Sequence, residues 1–315
     1  MIQATVSKVQ AIARDVLLVE LQAPQAQPLP GAGPGAHIDV HLPNGLVRQY
    51  SLTNAEGLDT QACYQIAVAR DASSRGGSTW IHDKLRIGSA LTISAPRNLF
   101  PLETAAHRKV LLLGAGIGIT PIYAMAKSAR HAGMDWTLMA CARSASRMAF
   151  QEELAALDAQ RVRFHFDQEQ GGPLALTPLL ASARWDAVYA CGPTGLLDSI
   201  EAATVGWPTG SVRMERFKAQ AQDESGNTAF ELVLSGSGQS VQVGVHESPL
   251  EALERIGIDH PFSCREGLCG TCEVELLDGQ PDHRDHVLDA ADRAAGQRFI
   301  PCVSRCGSGR LVIKL

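Results

Sequence analysis

Three cysteines, Cys264, Cys269 and Cys272, follow the spacing C-x4-C-x2-C, and Cys302 comes after 29 intervening residues. Four thiols at that spacing match the plant-type arrangement for a [2Fe–2S] cluster. Thiolates are soft ligands that hold iron, and a tight loop lets three of them converge on one cluster. Gly267 and Gly270, inside SCREGLCGTC, allow such a loop and bring backbone N–H groups towards the sulfurs, which helps set a cluster's potential. Two other readings stay open on the residues alone. Cys269 and Cys272 with Cys302 and Cys306 have the pairwise spacing of a structural zinc site, or the thiols are simply buried. The zinc reading leaves Cys264 and both glycines without a purpose. In the iron reading Cys306 is a spare, structural thiol.

The remaining composition narrows the class. Eight cysteines in 315 residues fall well short of the roughly 8–10% of a disulfide-stapled scaffold, and in a reducing compartment clustered thiols mean metal more often than disulfide. The length suggests two or three domains. Twenty-eight Lys and Arg against 33 Asp and Glu leave a net charge of −5, which argues against nucleic acid or an anionic membrane as the main partner. The first fifteen residues lack the apolar core and cleavage site of a signal peptide. The long uncharged, apolar run between Lys109 and Lys127 holds three glycines and Pro121 and makes a poor transmembrane helix. A cytoplasmic protein is expected.

The first hundred residues read as β structure. Stretches at 2–9, 16–21, 37–42, 47–52, 64–70 and 91–94 are separated by Gly, Pro and Asn turns, and only 79–85 looks helical; the even spacing suggests a small barrel or sandwich. From about His107 strands alternate with helices: strands at 110–113, 136–140, 162–166 and 187–190, helices at 122–132, 148–157 and after Pro193. That alternation predicts a parallel sheet wrapped by crossovers. Residues 218–229, KAQAQDESGNTA, read as a linker. Beyond it lie a hairpin (230–234 and 240–245) and a short helix (249–255).

GAGIGITP, with Gly114, Gly116, Gly118, Thr120 and Pro121, sits where a strand meets a helix. Exposed N–H groups and the helix dipole favour a pyrophosphate there. The loop departs from the dinucleotide fingerprint, because Ile119 stands where the third glycine belongs and Arg143-Ser144 follows the second strand in place of an acid. A plain strand–helix turn is the competing reading. Cys191-Gly192-Pro193, at the end of a later strand, favours the ligand reading, since strand carboxyl ends line the crevice of such sheets. Cys191 is placed to lie against a nicotinamide ring.

Within RQYSL (48–52), strand alternation puts Arg48, Tyr50 and Leu52 on one side and Gln49 and Ser51 on the other. Tyr50 can lie along a flavin ring and Arg48 can meet a phosphate. Gly76, Gly77, Ser78 and Thr79 precede the one helical segment and form a candidate second anion cradle. Each alone also fits an ordinary strand or turn.

The order of these motifs, with RGGSTWIHD (75–83), SAPRNLFPL (94–102) and the cysteine set, resembles the phthalate dioxygenase reductases of the ferredoxin–NADP reductase superfamily. GAHIDVHLPNGLVRQYSL and PDHRD are especially similar to vanillate O-demethylase reductase subunits. The resemblance implies three domains: an antiparallel FMN-binding β-barrel (1–103), an α/β parallel-sheet NAD-binding domain (104–225, with the linker 218–229) and an α+β, β-grasp ferredoxin domain (226–315). It implies FMN held by Arg48, Tyr50, Ser51, Leu52, Ala67, Val68, Arg70, Gly76, Gly77, Ser78 and Thr79, with Phe217 of MERF, or its neighbours Glu215 or Arg216, over the flavin. NADH is the expected donor, at Gly114, Gly116, Gly118, Thr120, Pro121, Arg143, Cys191, Gly192 and Pro193, although Arg143-Ser144 would suit the 2′-phosphate of NADPH. Cys264, Cys269, Cys272 and Cys302 hold the cluster.

The implied chemistry is a relay. A nicotinamide gives two electrons together and the cluster takes one at a time, so a flavin belongs between them. Electrons then leave for a separate Rieske-type oxygenase, and no acid–base residue is required. A monomer that reorients its ferredoxin domain is expected. The other reading is a redox-sensing or electron-carrier protein without an oxygenase partner. His283 and His286 of PDHRDH are expected in a solvated turn, and His37 and His41 share a strand face with no third ligand nearby.

Overall fold

A computed structural model describes residues 1–23, 27–57, 59–71, 74–105, 109–219 and 222–315. The transition expected near His107, and residues 220 and 221 of the linker, lie outside that set. The chain divides into two compact units, Met1–Phe217 and Lys218–Leu315.

The first unit begins with strands β1 (Ile2–Ala13), β2 (Val16–Gln22), β3 (Leu29–Pro30), β4 (His37–His41), β5 (Val47–Ser51), β6 (Thr60–Gln61), β7 (Cys63–Ala69) and β8 (Ala90–Ile93), with helix α1 (Gly77–Lys84) before β8. Six of these strands form one antiparallel sheet, ordered β5-β4-β8-β1-β2-β7. A bridge between Leu52, just past β5, and Ile66 in β7 joins its two edges, so the sheet closes into a barrel. Period-2 alternation turns Val19, Leu21, Ile38, Val40, Ile66 and Ile93 inward; each such side chain contributes about 1.5–3 kcal/mol on burial.

The α/β part follows as β9 (Lys109–Ala115), α2 (Ile119–His131), β10 (Asp135–Ala142), α3 (Gln151–Leu157), β11 (Val162–Phe166), α4 (Leu176–Ala181), β12 (Ala187–Cys191), α5 (Thr194–Ala203) and β13 (Val212–Glu215). Its sheet is wholly parallel, ordered β11-β10-β9-β12-β13. The chain steps outward from β9 to β11 and returns to β9's other side as β12, which puts a topological switch at the carboxyl ends of β9 and β12. β9 reads as continuous apolar residues because both faces are covered: Val110 and Leu112 pack into one core, Leu111 and Leu113 into another. The first of those cores also takes Val16, Leu18, Phe100 and Leu102. Barrel and parallel sheet therefore share buried side chains and form one unit.

The second unit contains β14 (Phe230–Leu234), β15 (Ser240–Val243), α6 (Pro249–Arg255), β16 (Val274–Asp282), α7 (Ala290–Ala295), β17 (Arg298–Phe299) and β18 (Arg305–Ile313). Its mixed sheet runs β15-β14-β18-β16-β17, with β14 and β18 parallel. Helix α6 packs Ala252 and Leu253 into the same core, and Ser248 with Glu251 forms a reciprocal cap at its start. The arrangement is the expected α+β grasp.

Several boundaries differ from the sequence reading for local reasons. Helix α3 begins at Gln151 rather than 148, because Phe150 adopts a left-handed backbone (φ 60°). Helix α2 begins at Ile119, directly behind a 3₁₀ turn made by Gly116–Gly118. His283 is not in a solvated turn. β16 reaches Asp282 and draws His283 inward, where both ring nitrogens are buried without a hydrogen-bond partner among the described residues.

Candidate cofactor-binding sites

The glycine-rich loop and the Cys-Gly-Pro turn meet at the switch point. A Cβ built on Gly118 would stand 2.3 Å from the Cys191 carbonyl oxygen, and one on Gly192 would stand 2.9 Å from Ala115 Cβ. Gly118 is thus fixed by contact with backbone, and Gly192 by close packing on the Ala115 side chain. Gly114 closes on Ile119 in the same way, at 2.7 Å from its Cδ1. Gly116 takes a positive φ of 56°. Thr120 is buried and donates its hydroxyl to the Ile117 carbonyl (2.9 Å), and Pro121 lies in the first turn of α2. Pro193 precedes the first residue of α5.

Cys191 is fully buried and pairs across the parallel ladder with Glu215. Glu215 Oε2 is buried and has no hydrogen-bond partner among the described residues. Burial pushes this carboxyl up to about 8, so it is mostly neutral at pH 7. The Cys191 thiol is pushed up as well, by burial first and then by Glu215. A neutral thiol and a neutral carboxyl thus stand side by side at the carboxyl ends of β12 and β13. Arg216 points elsewhere, pairing with Asp198 (2.9 Å) and Glu201 (3.3 Å). Phe217 is exposed. Arg143 is exposed where β10 ends.

In the barrel, the turn before α1 rests on β5. A Cβ on Gly77 would lie 2.8 Å from Arg48 Cγ, while Gly76, at φ 98°, caps the helix in a left-handed conformation. Arg48 donates to its neighbour's carbonyl, Val47 O, at 2.8 Å. Ser51 is buried, and its Oγ has no hydrogen-bond partner among the described residues. Tyr50 is half-buried, and desolvation raises its phenol well above the ordinary range. Ser78 Oγ accepts from the Asp71 amide (3.2 Å), and Thr79 is the next residue of α1. Arg70 forms a two-point pair with Asp83 (2.7 and 3.3 Å). Ala67 and Val68 are buried on β7. Leu52 is fully buried in the barrel core, where its side chain is a packing group. An anion fits beside Arg48 and the Gly76–Gly77 backbone, and a ring with polar edges fits near Ser51 and Tyr50.

The four cysteines converge. The Cys264 thiol is held far below its usual range, first by a hydrogen bond from Cys269 and then by one from Cys302; the N–H groups of Glu266 (3.3 Å) and Leu268 (3.4 Å) also donate to it. Cys302 in turn contacts Cys272, which is also lowered. Cys269 and Cys302 are both pushed up, first by Cys264. The sulfurs therefore form a chain of contacts, Cys269–Cys264–Cys302–Cys272. Thr271 N adds a donor to Cys269 (3.5 Å).

The loop closes around them because Gly267 (φ 68°) and Gly270 (φ 67°) are left-handed. A Cβ on Gly267 would meet Val303 Cγ2 at 2.6 Å. Cys306 stands apart in the sheet core, accepting from Ser308 N at 3.3 Å. Among the described residues no group of three or more His, Cys, Asp or Glu is arranged for a lone metal ion. The soft, all-thiolate set with backbone donors fits an iron–sulfur cluster.

One residue escaped the sequence reading and another was placed in it only as an alternative. Glu215 was offered beside Arg216 as a substitute for Phe217 over the flavin, since nothing in MERF marks a buried carboxyl. Glu169 carried no signal at all. It reaches the end of β10 only because β11 pairs in register beside it.

Residues 232–307 match the 2Fe-2S iron-sulfur cluster binding domain model. A closed barrel, a parallel nucleotide-type sheet and an iron–sulfur grasp domain in one chain define an oxidoreductase of the electron-transfer reductase class.

The chain is 56% identical, over 100% of its length and 99% of the relative's, to the reductase subunit of the toluene-4-sulfonate monooxygenase system of Comamonas testosteroni. It is 41% identical to vanillate O-demethylase oxidoreductase of a Pseudomonas species, covering 100% of both chains. The solved structure of phthalate dioxygenase reductase, described as a modular structure for electron transfer from pyridine nucleotides to [2Fe-2S], superposes with a TM-score of 0.71 at 36% identity, over 99% of this chain and 97% of that one. The chain belongs to the phthalate dioxygenase reductase family, the reductase components of oxygenase systems. No helix among the described residues is long and apolar enough to cross a membrane.

Proposed function

We propose that this protein is the NADH-dependent reductase of a two-component, Rieske-type oxygenase, carrying electrons from NADH through FMN to a [2Fe–2S] cluster and on to a separate oxygenase protein. The observation that carries the reading is the convergence of four cysteine sulfurs in a chain whose first unit presses Gly118 against Cys191. FMN, when bound, takes up the pair of electrons delivered by a nicotinamide and releases them singly. The chain's residues bind, orient and shield.

Gly114, Gly116 and Gly118 offer backbone N–H groups to the pyrophosphate, with Thr120 and Pro121 shaping the turn. Cys191, Gly192 and Pro193 form the floor for the nicotinamide, and the protonated Glu215 carboxyl can donate to its amide without adding charge. Arg48, Gly76, Gly77, Ser78 and Thr79 take the single phosphate that distinguishes FMN from FAD. Tyr50, Ser51 and the strand Ala67–Val68–Arg70 border the ring, and Phe217 covers its face until the nicotinamide displaces it. Cys264, Cys269, Cys272 and Cys302 hold the cluster.

Three modules, 1–103, 104–225 and 226–315, then correspond to the three cofactors. The protein works as a monomer in the cytoplasm, where cysteines outside the cluster stay reduced. The oxygenase's substrate is not fixed by these sites: the named relatives serve sulfonate and vanillate systems.

Turnover with candidate oxygenases tests the proposal. NADH-dependent product formation with a Rieske-type oxygenase supports it. NADH oxidation that never reaches any oxygenase favours the redox-sensing alternative.

A further inference from the structure

The end of β10 lacks the acid that a dinucleotide-binding sheet places near the adenosine ribose; Arg143 and Ser144 stand there instead. By composition that pair suits a 2′-phosphate. The neighbouring strand changes the balance. Past Phe166 the chain keeps pairing with the β10 end: Asp167 N donates to Ala142 O (3.1 Å) and Gln168 N to Arg143 O (3.0 Å). The turn is tightened by Gly172 N to Asp167 O (2.9 Å) and Phe166 N to Gln170 Oε1 (2.7 Å).

These bonds set the Glu169 carboxylate on the backbone of the residue after Ser144. Its Oε1 accepts from Ala145 N at 3.1 Å. The amide that would greet a phosphate oxygen is therefore already engaged by a carboxylate. The other nearby cation is also committed, since Arg147 pairs with Asp15 at 3.1 Å. Asp167, in the same turn, is 3.4 Å from His165.

We infer that Glu169, supplied by the strand beside the expected one, is the residue that selects NADH over NADPH. Its carboxylate accepts a hydrogen bond from an adenosine 2′-hydroxyl and repels a 2′-phosphate. This rests on the nucleotide-site reading proposed above. Arg143 then serves the rest of the nucleotide rather than a second phosphate.

Reduction of the bound flavin by NADH and by NADPH, followed in the full-length holoprotein, tests the assignment. Wild type should prefer NADH. Glu169→Gln, exposed and isosteric, should raise kcat/KM for NADPH about tenfold, the size of effect that removing one like charge at close range produces. The same variant should raise KM for NADH a few-fold with little change in kcat, and Glu169→Asp should restore part of the discrimination. A wild type reduced by NADH whose Glu169→Gln variant keeps the same NADH-to-NADPH ratio overturns this inference alone. A wild type whose flavin responds to neither nucleotide overturns the nucleotide site as well.

Discussion

Cys191 and Glu215 stand opposite each other in the parallel ladder that ends the central sheet, and the Cys191 side chain and Glu215 Oε2 are withdrawn from water. Among the described residues neither has a cationic partner there, so each is driven towards its neutral form. Cys191 ends β12 beside the topological switch, the edge at which ligands of such sheets bind, and Glu215 ends the next strand.

A pH effect on stability follows. The folded Glu215 carboxyl is raised from 4.5 to about 8, so its contribution to stability is fully present below pH 4.5 and is lost as the pH rises through 8. Glu215→Gln should flatten that part of the profile. At pH 8 the variant should melt roughly 10 °C above wild type, the shift that about 4 kcal/mol produces in a unit of this size. Thermal melts of both proteins at pH 5 and pH 8 check this; a difference that does not grow with pH contradicts the buried carboxyl.

The cluster ligands separate cleanly from the spare thiol. Cys302 contacts Cys264 and Cys272, whereas Cys306 lies in the sheet core beside Ser308. Cys302→Ser should abolish the cluster and leave NADH-to-flavin reduction intact. Cys306→Ser should do neither, costing only about 1 kcal/mol of stability. Iron content and visible absorbance decide; iron lost from Cys306→Ser and kept in Cys302→Ser would reverse the assignment.

Gly118 tests the meeting of the two nucleotide motifs. Its missing side chain leaves room for the Cys191 carbonyl, and a methyl group there would sit at 2.3 Å. Gly118→Ala must push α2 away from β12, at about 1–3 kcal/mol for a forced overpacking. KM for NADH should rise at least tenfold while the cluster spectrum is unchanged. An unaltered KM would mean that the nucleotide does not use this crevice.

Arg305 organises the second unit in an unusual way. It is buried, and it donates to three backbone carbonyls, those of Thr228, Gly244 and Glu247, at 3.0, 2.8 and 2.6 Å. Arg305→Met would leave those oxygens without their donor, each worth about 1–3 kcal/mol when buried. Denaturant unfolding should show the iron–sulfur absorbance lost at lower denaturant than in wild type, by roughly 3 kcal/mol or more in all. An unchanged midpoint would show that water replaces the guanidinium.

Much of the fold was legible because its signals are local. Turn residues punctuate the barrel strands, and the apolar run Val110–Leu113 ahead of GAGIGITP announces a buried parallel strand. The second half of the iron–sulfur unit was not legible. β16 carries Gly279 and Pro281 and changes register twice, and β18 carries Gly307 and Gly309 in its first half, so neither shows a clean period of two. The cysteine spacing named its four sulfurs, because a tight loop fixes them in sequence as well as in space. Glu169, and the buried state of Glu215, were invisible for the opposite reason: one depends on the register of β11 against β10, the other on burial by a neighbouring strand.

The most direct test of the whole account is one anaerobic spectrum of the purified holoprotein before and after NADH. The account predicts overlapping flavin and [2Fe–2S] absorption that bleaches on adding NADH, with both cofactors reduced. A protein that carries those bands but keeps them unchanged with NADH, or that binds neither cofactor, would contradict it.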